Sequence, residues 1–71
     1  MISIVSKEFQ LMCFVKDKTI LTGFCKFEEV ADQFGDSLLK KCIYEKRLIY
    51  IDKRDGGLEW TEFGRRSMGV E

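Results

Sequence analysis

At Leu48 the spacing of apolar residues changes from helical to alternating, and this switch does most to limit the folds open to the chain. Before it, apolar positions recur every three to four residues, the repeat of a helix with one buried face. After it, Ile49-Tyr50-Ile51 and Leu58-Glu59-Trp60 alternate on either side of Asp52-Lys53-Arg54-Asp55-Gly56-Gly57. Asp55-Gly56 favours a hairpin, because the tight turns that match strand twist need positive φ. The chain therefore reads as helices followed by a two-stranded hairpin, an α+β architecture.

Val5, Phe9, Met12 and Val15 or Lys16 recur at helical spacing, and Ile2, Ile4 and Leu11 widen the stripe. They predict a first helix over about residues 3–18, its regular part starting at Ser6 with Lys7-Glu8. A hairpin pairing 9–15 with 20–27 competes, but Leu11-Met12-Cys13-Phe14-Val15 is an apolar run that does not alternate. Residues 19–26 read as a connection with a short extended piece, broken at Gly23, with Phe24 and Phe27 pointing inward. Phe27, Val30, Ala31 and Phe34 then mark one face of a second helix that ends at Gly35. Glu28 and Glu29 suit its first turn, where the helix dipole favours negative charge. Asp36-Ser37 caps a third helix over about 38–47. It buries Leu38, Leu39, Cys42, Ile43 and the following Leu48, and turns Lys40, Lys41, Tyr44, Glu45 and Arg47 outward. Thr61 caps a short final helix through Phe63, Arg65 and Met68.

Seventy-one residues bound the chain to a single domain, 1–71, with 45% hydrophobic and 34% charged residues, as folded domains have. A chain this short buries about 60% of its unfolded surface, too little to enclose a deep substrate cleft. No apolar run is long enough to cross a bilayer, and the first six residues carry no basic stretch, so a cytoplasmic protein is expected. Cys13, Cys25 and Cys42 are odd in number, form no CxxC pair and have no histidine beside them. No metal and no cofactor is expected, and the thiols read as reduced, buried small hydrophobes. An enzyme is not expected either. No histidine offers a base near neutral pH, no serine sits in a G-x-S-x-G turn, and no helix follows Gly56-Gly57 to hold a phosphate.

The element order resembles that of winged-helix domains. Phe27-Glu28-Glu29-Val30-Ala31-Asp32-Gln33-Phe34 looks like their second helix, and Leu48-Ile49-Tyr50-Ile51-Asp52 like the exit into the first wing strand. Leu58-Glu59-Trp60-Thr61-Glu62-Phe63-Gly64-Arg65-Arg66 is similar to the L-x-L-T-x-x-G-R segment closing the wing of MarR-like regulators. The resemblance covers about residues 9–68. It implies three helices, a hairpin wing, a short final helix, and a regulator or accessory factor that binds double-stranded DNA. Mapped residue by residue, it implies DNA contacts from Ser37, Lys40, Lys41, Tyr44 and Arg47 on the third helix and from Lys53 and Arg54 on the wing. One departure matters: only 13 positions separate Gly35 from Leu48, which leaves a third helix of about three turns.

Charge supports two readings. Twelve basic residues balance twelve acidic ones, so no overall excess draws the chain to nucleic acid. The basic pairs Lys40-Lys41, Lys46-Arg47, Lys53-Arg54 and Arg65-Arg66 nonetheless gather in the second half. Against DNA binding stands an ordinary solvated face neutralised by Glu45, Asp52 and Asp55, on a winged-helix frame that binds proteins instead. Arg65-Arg66 suits a last helical turn through the dipole. Trp60, between Leu58 and Phe63, is expected in the core, and Tyr50 is expected exposed. Ile2, Ile4, Val5, Phe9, Leu11, Met12, Phe14 and Val15 exceed what one helix face buries on so small a body, so a homodimer through the first helix is expected.

Overall fold

The Ser6 hydroxyl accepts the Phe9 N–H at 3.1 Å and caps helix α1, Lys7–Thr22, in the computed structural model, which describes residues 6–69. Leu11, Met12 and Val15 turn inward and are fully buried, while Cys13 and Phe14 are half-buried. The competing hairpin does not form, and Lys16-Asp17-Lys18 lies within the helix instead of in a turn. The expected end near residue 18 is also corrected. Thr19 and Thr22 donate their hydroxyls to the carbonyls of Val15 and Lys18, at 2.9 and 2.8 Å. Gly23, at φ 78°, then stops the helix with its N–H on the Thr19 carbonyl. The added turn left no periodic signal because Ile20 and Leu21 are 71% and 80% exposed. The part of the expected helix and stripe at residues 2–5 lies outside the described residues.

Helix α2, Phe27–Phe34, buries Val30 and half-buries Phe27, Ala31 and Phe34. The Phe34 ring meets Phe14 of α1 edge-on, 5.6 Å between centroids. Gly35 alone separates α2 from helix α3, Asp36–Lys40, and its φ of 95° excludes most side chains there. Gly35 also takes the cap position expected for Asp36-Ser37, and Asp36 falls inside the first turn. The chain does not continue as a regular helix to Arg47. Lys41–Glu45 form a widened turn in which the Lys46 N–H reaches the Lys41 carbonyl at 2.9 Å, five residues back. The Leu48 N–H then bonds the Cys42 carbonyl at 2.8 Å, and Arg47 turns the chain with φ 53°. This exit lets Leu39, Cys42 and Leu48 all reach the core.

Strands β1, Ile49–Ile51, and β2, Leu58–Trp60, pair antiparallel with Tyr50 opposite Glu59. Of Asp55-Gly56, only Gly56 has positive φ, and the turn is longer than a two-residue primed turn, closed by Asp52 N–H to the Gly57 carbonyl at 2.8 Å. On the far side of β2, the Leu58 N–H bonds the Cys25 carbonyl at 2.9 Å, so the link after α1 runs beside the hairpin. Ile49 is buried, but Ile51, next to the turn, is 38% exposed. Trp60 is half-buried at the core's edge, its indole N–H on the Met12 carbonyl at 2.9 Å and Lys16 over its ring. Helix α4, Glu62–Ser67, starts at Thr61, whose hydroxyl accepts the Gly64 N–H and donates to the Arg47 carbonyl at 2.6 Å. Met68 packs on the core, whereas Phe63 is 58% exposed. Among the described residues, four helices and one antiparallel hairpin make an α+β fold around a shared core.

Candidate nucleic-acid interface

Ser37 and Lys40 stand on the third helix, and Lys41 and Tyr44 on the widened turn that continues it. Their i, i+3, i+4, i+7 spacing is that of one face of a regular helix, which the widening interrupts. All four are exposed, Tyr44 by 66%. Lys40 is engaged within its own helix, its ammonium 2.9 Å from the Asp36 carboxylate one turn earlier. That hydrogen bond raises the Lys40 pKa. Lys41 has no carboxylate within ion-pair distance among the described residues. Arg47 is exposed too, but it lies beyond the helix in the left-handed turn, not on the helical face the spacing implied. The extra residue in the widened turn displaces everything after it by about 100° relative to a regular helix.

The wing divides its two cations. Lys53 is exposed at the hairpin turn and, among the described residues, has no carboxylate partner. Arg54 is held by Asp52 through two side-chain bonds, Nη2 to Oδ2 at 2.9 Å and Nε to Oδ1 at 3.2 Å. The Arg54 backbone N–H adds a third bond to Oδ1 at 2.9 Å. The guanidinium, then that backbone N–H, hold the Asp52 carboxyl far below the usual carboxylate range, against the opposing effect of burial. The pair is lopsided: the Asp52 side chain is 8% exposed and that of Arg54 is 86% exposed.

Of the seven residues, five thus stand along the third helix and its exit, and two at the wing turn. The widened turn packs against β1, which links the two groups. The i,i+4 spacing of Asp36 and Lys40 offered that pair in the sequence, whereas the Asp52–Arg54 pair depends on the turn and had no such signal. Spacing also gave no sign that Lys46 reaches across to Glu8 at 2.9 Å, tying the third helix to the start of α1. Among the described residues no group of three or more Cys, Asp or Glu side chains is placed to hold a metal. No described helix is long and apolar enough to cross a membrane. Cys25 and Cys42 are buried free thiols, while Cys13, expected buried, is half-buried.

The fold defines a class: a small winged-helix-like α+β protein, with an outward third helix and a hairpin beside it. No family model, curated protein or solved structure matches the chain.

Proposed function

We propose that the protein is a small winged-helix DNA-binding protein, acting as a transcriptional regulator or accessory factor in the cytoplasm. The observation that carries this reading is the set Lys41, Tyr44 and Arg47. They are exposed, with neither cation in an ion pair among the described residues, on the widened turn that continues the third helix and at its exit. In winged helices the third helix enters the major groove. Lys53 adds a cation from the wing. Lysine and arginine bind phosphates and release counterions, and a tyrosine hydroxyl can bond a phosphate oxygen. Three free cysteines suit a reducing compartment. Fluorescence anisotropy with a labelled mixed-sequence duplex at low salt tests the reading. The expected result is saturable binding that Lys41→Ala and Arg47→Ala each weaken; variants that bind like the wild type would count against it.

The proposal includes pairing with a second copy through α1. Its last turn presents Ile20 and Leu21, 71% and 80% exposed, and pairing there covers both while doubling the cations offered to a duplex. Sedimentation at micromolar concentration is expected to show a two-chain species that Leu21→Glu dissociates. A single-chain mass for the wild type would remove the dimer.

A second reading, a protein-interaction module on the same frame, is favoured by Tyr50, Ile51 and Phe63, which are 44%, 38% and 58% exposed. It predicts no duplex binding even at low salt.

A further inference from the structure

Among the described residues Asp52 is the one buried polar or charged residue, yet its partner stands almost wholly in solvent. A buried carboxylate must be paired and hydrogen-bonded to be tolerated. Closing the hairpin turn could be its whole purpose, because Oδ1 accepts a backbone N–H two residues on, as turn-forming aspartates do. The side-chain geometry goes further. Two guanidinium nitrogens, Nε and Nη2, face the two carboxylate oxygens in the fork-to-fork arrangement that fixes an arginine in its plane. With its own backbone N–H also bonded to Asp52, Arg54 is tied to the turn at both ends of its side chain. Both N–H groups of Nη1 have no partner among the described residues, on a side chain 86% exposed. A free arginine would lose several rotamers on meeting a phosphate, whereas one already held loses few.

Resting on the nucleic-acid reading above, we propose that Asp52 is a positioning residue of that interface, holding the Arg54 guanidinium in one orientation with Nη1 directed at a backbone phosphate of duplex DNA. The sign of one substitution separates this from a purely structural role. Asp52→Asn removes a negative charge near a polyanion, and electrostatics alone then makes binding tighter. Loss of positioning makes it weaker.

The test is anisotropy titration of a labelled mixed-sequence duplex at fixed low salt with wild type, Asp52→Asn, Arg54→Lys and Arg54→Ala, each checked for folding by circular dichroism. Asp52→Asn is expected to weaken binding by about three- to tenfold despite its added charge. Arg54→Lys keeps the charge without the fork and is expected to lose nearly as much as Arg54→Ala. Because Arg54 is exposed, this comparison decides the matter even if Asp52→Asn fails to fold. Unchanged or tighter binding by folded Asp52→Asn, or full affinity in Arg54→Lys, would overturn the proposal while leaving the DNA reading standing. Absence of binding by the wild type would overturn both.

Discussion

The backbone of Gly64 in α4 lies directly against the Leu48 carbonyl, so closely that a Cβ built on Gly64 overlaps the carbonyl oxygen and also meets the end of the Met12 side chain. Gly64 thus has a physical reason to be glycine. It lets the final helix dock where the third helix exits into β1. Backbone cannot yield as a side chain can, so Gly64→Ala is expected to cost about 1–3 kcal/mol in chemical denaturation. A variant as stable as wild type would show that the approach is not close.

Arg47 holds a left-handed backbone, φ 53°, that favours glycine. Relief of that strain should make Arg47→Gly more stable than Arg47→Ala by about 1 kcal/mol in urea titrations, since alanine keeps the conflict. Both variants should bind duplex DNA more weakly than wild type. Equal stability would mean that the Thr61 hydroxyl on the Arg47 carbonyl and neighbouring contacts do not enforce this turn.

Acid should weaken the fold partly through Asp52. Its carboxyl is held below its ordinary value of 3.8, mainly by the Arg54 side chain, so ionisation favours the folded state. That contribution is fully present above the unfolded value and is lost as pH falls through the folded one. Urea midpoints followed from pH 7 to about pH 2 should fall less in Asp52→Asn than in wild type over the acid range. Parallel profiles would contradict the assignment. Lys40 and Lys46 act at the other end: hydrogen bonds they donate to Asp36 and Glu8 raise their pKa values. Their contributions are full below the ordinary lysine value of 10.5 and are lost as pH rises through the raised folded values.

The thiols should react in sequence. Burial, then the nearby Glu29, pushes the Cys25 pKa up to about 11, and burial also raises Cys42. Cys13 is raised by burial and Asp17 but is half-buried. Because the thiolate is the reacting form, iodoacetamide at pH 8 should label Cys13 first, and Cys25 and Cys42 only on unfolding. Mass spectrometry of digests distinguishes the three, and early labelling of Cys25 would contradict the described core.

Much of the fold was legible because its signals are local. The stripe from Phe27 to Phe34 with Gly35 after it, the alternation at Ile49–Ile51 and Leu58–Trp60, and the Ser6 and Thr61 caps each depend on residues a few positions apart. The failures depend on distant contacts or on exposure. Ile20 and Leu21 extend α1 without burying anything, so no stripe announced that turn. The widening at Lys41–Glu45 follows from Leu48 reaching both the core and the Cys42 carbonyl. For the candidate site, residue types were readable but the pairing at the wing was not: whether Arg54 is free or held depends on a turn that folds Asp52 inward.

The salt dependence of duplex binding tests the central claim most directly. Lys41, Arg47 and Lys53 are the interface cations without a carboxylate partner among the described residues, and three phosphates neutralised give a slope of log K against log salt of about −3. Lys40 and Arg54, if they also reach phosphates, steepen it to about −4 or −5. Binding measurable at roughly 50 mM salt and falling along such a slope, flattened by about one unit in Lys41→Ala, is the result predicted. No binding at that salt, or affinity that does not change with salt, would contradict it.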